Sequence, residues 1–162
     1  MKYFLAIFSI GIILSCSPKI ASTETLSVSE EATVSGNMEE SILGYINAHR
    51  RSKGLSSLQM NDAASTQAYQ HSKNMATGKT GFGHTGFDQR IQAIKKAMGT
   101  TYMAASAENV AYGQLSAQAV VKGWLNSSGH RRNIEGNYNL TGIGVAKDRE
   151  GVIYFTQIFL KK

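Results

Sequence analysis

Cysteine is nearly absent: Cys16 is the single one in 162 residues. No intramolecular disulfide can form, so the domain must be stable by its core alone. The apolar run Phe4–Leu14 is too short to span a bilayer. Neither H-x-x-x-H nor H-E-x-x-H occurs, so no helix presents two metal ligands on one face by local spacing. No G-x-S-x-G elbow displays a serine nucleophile. An aromatic–basic recognition motif is also missing, which argues against nucleic acid as a partner. There is no internal repeat and no sign of a second domain.

What is present begins with an export signal. Lys2, the apolar run and the small Ser15 make residues 1–15 a signal peptide. Ile13-Leu14-Ser15-Cys16 looks like a bacterial lipobox, in which the Cys16 thiol receives a diacylglycerol and becomes the mature N-terminus. That would consume an otherwise odd thiol and anchor the chain to a membrane. The alternative is an ordinary signal peptide, with Cys16 cut away or left as a stray thiol. Residues 16–37 then form the lipidated Cys and a flexible tether, rich in Ser, Thr and Glu and without a sustained apolar period. Residues 38–162 are the domain, with fifteen Lys or Arg against eight Asp or Glu. A basic domain on an acidic tether suits an anionic neighbour, such as phospholipid head groups or a cell-wall polymer. A merely solvated basic surface is the plainer alternative.

The periodicity predicts about four helices and a small sheet. Asn37 can cap a first helix carrying Met38, Ile42, Tyr45, Ile46 and His49 on one stripe, with Gly54 as its stop. Asn61 or Asp62 opens a second, through Ala64, Ala68, His71 and Met75 to Gly78. A third starts near Asp88 with Ile91, Ile94 and Met98, and Ser116 caps a fourth holding Val120 and Trp124. Thr80 to Phe87 is a Gly-rich loop carrying His84. Ser127 and Ser128 read as the loop that ends the Trp helix. Thr141–Ala146 and Val152–Leu160 alternate as an antiparallel hairpin, with a further strand near Asn109–Tyr112. The fold class expected is α+β, a small antiparallel sheet covered by helices.

Four short motifs lie in order between residues 83 and 157: Gly83-His84-Thr85, Ala107-Glu108-Asn109-Val110, Trp124 to Asn133 (W-L-N-S-S-G-H-R-R-N) and Tyr154-Phe155-Thr156-Gln157. With Asn47, Arg50, Gly54, Leu55 and Leu58 ahead of them, the chain resembles the CAP superfamily of cysteine-rich secretory, antigen 5 and pathogenesis-related proteins, in its bacterial, disulfide-free (SCP-like) form. The resemblance implies an α-β-α sandwich. In the animal members a cavity carries two His and two Glu; here it implies His84 and Glu108 for one pair. The other two positions depart from the animal pattern, as Ser127 and Tyr154. By the same resemblance His130 enters that cavity from the loop after the Trp helix.

The residues leave several chemistries open. His84, Glu108 and His130 are an acceptable Zn²⁺ set with a fourth position for water, provided the tertiary structure brings them together. The alternative is that Glu108 hydrogen-bonds loop amides and an imidazole, locking the cavity wall. A serine triad would have to draw Ser127 or Ser128 to a His and a carboxylate. His49 and His71 lie on apolar stripes and read as packed histidines, each with one satisfied nitrogen. The expectation is a cell-envelope lipoprotein that binds a lipid, glycan or protein in a cleft around His84, Glu108, His130 and Tyr154, with Ser127 and Asn109 nearby. A hydrolase of envelope peptide or glycan, and a structural adhesin with a vestigial cavity, are the alternatives.

Overall fold

The computed structural model describes residues 30–113 and 115–162, with side-chain surroundings from Met38 onward. The expected signal peptide, Cys16 and most of the tether lie outside the described residues. Elements run in the order α1 Glu30–Ser52, β1 Gln59–Met60, α2 Asp62–Ala76, α3 Phe87–Ala97, β2 Ala105–Gly113, α4 Ala117–Asn126, α5 Ser128–Ile134, β3 Leu140–Lys147 and β4 Ile153–Lys161. None of the described helices is long and apolar enough to cross a membrane.

The expected caps are in place. Asn61 accepts the Ala64 amide at 3.0 Å to open α2, and Ser116 accepts the Ala119 amide at 3.2 Å to open α4. Gly54, Gly78 and Gly99 adopt positive φ just beyond α1, α2 and α3, where a left-handed residue ends a helix. Three readings need correction. Helix α1 begins at Glu30, so residues 30–37 are helical rather than tether and Asn37 is interior. Once a helix exists, each added residue gains a hydrogen bond for one fixed pair of dihedrals, so it extends past a residue that would make a good cap. Ser128–Ile134 forms a fifth helix where a loop was expected. Tyr45, expected on the buried stripe of α1, is 44% exposed.

The sheet has the order β1-β3-β4-β2. The expected hairpin pairs β3 with β4, and β4 pairs antiparallel with β2, Glu108 facing Ile158 and Tyr112 facing Tyr154. The two-residue β1 adds a parallel edge through Gln59–Leu140 and Met60–Thr141. Strand alternation divides the core into two layers. Phe155 and Phe159 face α1 and α4, packing with Ile42, Ile46, Val120 and Trp124. Ile158 and Leu160 face the other way, against Ala64, Ala68, Ile91 and Ile94 of α2 and α3. Helix α2 presses directly on β3: a Cβ at Gly142 would sit 2.1 Å from the Ala64 carbonyl carbon, and one at Gly144 2.0 Å from the Tyr69 amide nitrogen. The result is an α-β-α sandwich, with β2 as the edge strand opposite β1.

Candidate functional site

An edge strand exposes unpaired carbonyls, and here side chains cover them. The Trp124 indole donates to Val110 O at 3.3 Å. Asn133 Nδ2 donates to Glu108 O at 3.2 Å and to Asn109 Oδ1 at 2.9 Å, while Asn109 Nδ2 donates to His130 O at 3.2 Å. The Trp124–Asn133 motif is therefore a clamp that fastens α4 and α5 onto β2. Asn109 is fully buried and serves this clamp rather than the cleft.

Glu108 alternates to the opposite face, toward α2 and α3. Its carboxylate is gripped by Arg90 through Nε to Oε2 at 2.9 Å and Nη2 to Oε1 at 2.7 Å. His84 Nδ1 donates to Oε1 at 2.9 Å. Arg90 also donates from Nη1 to Thr85 O at 2.9 Å, which ties the Gly-rich loop to the same centre. The expected loop-amide bonds to Glu108 are thus replaced by an arginine that bridges carboxylate and loop carbonyl. Arg90 was missed in the sequence. Its one signal is its place four residues before buried Ile94, a charge on the apolar stripe of α3.

His71 lies beside this centre, 2% exposed, and its Nε2 donates to Gly83 O at 2.8 Å. Burial lowers its pKa, and the nearby Arg90 lowers it further. It holds the loop as a packed histidine with one satisfied nitrogen. His49 instead bonds Glu135 at 2.9 Å near the surface.

His84 and His130 come together across the β2 edge, one from the loop below the sheet and one from α5 above it. With Glu108, Ser127, Arg132 and Asn133 they line an open cleft of about 600 Å³. Burial and the proximity of His84 hold the His130 imidazole below its ordinary pKa. His84 is half exposed and, with Nδ1 on Glu108, turns Nε2 outward. Tyr154 lies elsewhere: it stacks on Tyr112, ring centroids 5.7 Å apart, and lines a separate groove near the β3–β4 turn.

The donor set does not fit a zinc ion. Both Glu108 oxygens are held by the Arg90 guanidinium, a cation where a metal would have to approach. Among the described residues, no three His, Cys, Asp or Glu side chains are placed to hold a metal.

The family model described as the cysteine-rich secretory protein family, CAP, matches residues 43–159. The chain belongs to the CAP family. The chain is 36% identical over 154 residues to YkwD of Bacillus subtilis (strain 168), an alignment covering 91% of this chain and 56% of that one. An extracellular protein of Bacillus anthracis containing an SCP domain superposes with a TM-score of 0.70 at 25% identity, over 86% of this chain and 45% of that one. An outer surface protein of Borrelia burgdorferi shares the fold, with a TM-score of 0.65 at 21% identity over 85% of this chain and 96% of that one. The chain thus spans about half the length of the first two relatives.

Proposed function

We propose that this CAP domain belongs to an exported, lipid-anchored envelope protein and binds an anionic ligand in the His84–His130 cleft. The observation that carries the reading is the neutralisation of Glu108 by Arg90. With its carboxylate occupied, the cleft is left with His84 Nε2, His130 and the exposed Arg132, groups that donate hydrogen bonds or carry positive charge. Such a lining favours phosphate or carboxylate groups over cations. The excess of Lys and Arg over the domain draws such ligands from a distance. The extracellular SCP-domain relative supports export, and the lipobox-like Ile13–Cys16 supports the anchor.

An anion in the cleft would favour the imidazolium form of His130, so binding takes up protons and strengthens as pH falls. Calorimetric titration of the full chain in detergent with glycerol 3-phosphate, at pH 6 and pH 8, tests this. Saturable binding at pH 6, weakened at pH 8 and by His130→Ala and Arg132→Ala, is the expected result. No saturable heat at either pH would refute it.

One observation favours hydrolysis as a second reading. A carboxylate bonded to His84 Nδ1 with Nε2 outward orients the imidazole as a general base, and Ser127 lines the same cleft. The guanidinium on Glu108 weakens that reading, because it already takes up the charge that would stabilise an imidazolium.

A further inference from the structure

The groove that contains Tyr154 is independent of the cleft. It lies where the C-terminal end of α2 meets the β3–β4 turn and encloses about 550 Å³. The Tyr154 ring lines it, at the end of an aromatic row that continues beside the groove. Phe82 packs edge-on against Tyr112 at 4.8 Å, and Tyr112 stacks on Tyr154 with ring planes 19° apart. Phe82 and Tyr112 are more than half exposed. On the other side of Tyr154, the residue paired with it on β3 is Ala146. A side chain that small covers little of the ring, and Tyr154 is among the residues that line the groove.

The rim is polar and balanced. Lys147, Asp148, Arg149 and Glu150 contribute two positive and two negative charges. Asp148 is used locally, its Oδ1 accepting the amides of Glu150 and Val152 at 3.0 and 2.8 Å. The heads of Lys147, Arg149 and Glu150 are exposed and form no ion pair among the described residues. A charged ligand gains no net attraction from this rim. A neutral ring with an apolar face and hydroxyls at its edge matches both parts: the face lies on Tyr154, and donors and acceptors stand ready at the side. A peptide is less well served, because both backbone edges of β4 are taken by β2 and β3 and cannot pair with an added strand.

We infer that this groove is a binding site for neutral saccharide, a pyranose stacking on Tyr154 with Lys147, Arg149 and Glu150 bonding its hydroxyls. Its test is calorimetric titration of the full chain in detergent with three neutral probes: the trisaccharides of N-acetylglucosamine, glucose and mannose. At least one should bind saturably. Tyr154→Ala should weaken that binding by about tenfold or more, the loss typical of truncating an aromatic anchor. Tyr154→Phe keeps the ring and should retain binding, which separates stacking from a general loss of structure. Glu150→Ala, on the exposed turn, should also weaken it, while His84→Ala in the cleft should not. Failure of all three sugars to bind wild type would overturn the assignment, as would binding unchanged by Tyr154→Ala. Tighter binding of an unstructured tyrosine-free peptide than of any sugar, lost in Tyr154→Ala, would overturn it in favour of peptide recognition.

Discussion

Removing one partner of the Arg90–Glu108 pair gives the sharpest check on how the cleft is built. The Arg90 side chain is 9% exposed and that of Glu108 2%, joined by two hydrogen bonds at 2.9 and 2.7 Å. Arg90→Met leaves a buried carboxylate with only His84 as donor, and it also frees Thr85 O from its bond. Breaking such a buried pair from one side costs about 3–4 kcal/mol, mostly the penalty of the stranded charge. For a domain of about 125 residues each kcal/mol moves Tm by roughly 3–4 °C, so a fall of roughly 10–15 °C is expected. Glu108→Leu strands the guanidinium and should fall by a similar amount. The double variant removes both charges and should recover much of the loss, since apolar replacements of a buried pair are often close to neutral. Trp124 reports the melt directly, because it is the single tryptophan and 1% exposed. Additive single-variant effects, within about 0.5 kcal/mol, would show that the two groups are not coupled and would refute the reasoning.

Three further outcomes follow from the same geometry. His71 has a folded-state pKa below its ordinary 6.5, so the unfolded chain binds a proton that the folded chain refuses. Stability should therefore be complete above about pH 6.5 and decline as pH falls below it; His71→Gln should flatten that decline in urea titrations taken at steps from about pH 7 to pH 5. Gly144→Ala drives a methyl to 2.0 Å from the Tyr69 amide nitrogen and should destabilise by about 3 kcal/mol or more. Gly123→Ala meets nothing within 4 Å in α4 and should add up to about 1 kcal/mol, by thermal melts of both variants. For the anchor, Cys16→Ala should move the protein out of the membrane fraction; retention of a correctly cleaved mutant there would refute lipidation.

The sequence by itself determined what depends on near neighbours. The starts of α2 and α4 were legible because Asn61 and Ser116 cap amides three residues away, and the β3–β4 hairpin because alternation sorts Phe155 from Ile158 before any partner is known. The motifs also singled out His84, Glu108 and His130, all of which line the cleft. Other features were decided only by tertiary structure. Arg90 meets Glu108 across eighteen residues, and β1 finds β3 across eighty-one, in a two-residue pairing too short to leave a period. Asn109 was expected in the cleft and turned into the edge clamp, and Tyr154 went to a separate groove, because each points where its strand's register directs it. Hydrogen bonds between near neighbours are set by the local chain; the partner of a buried charge depends on where distant strands and helices finally pack.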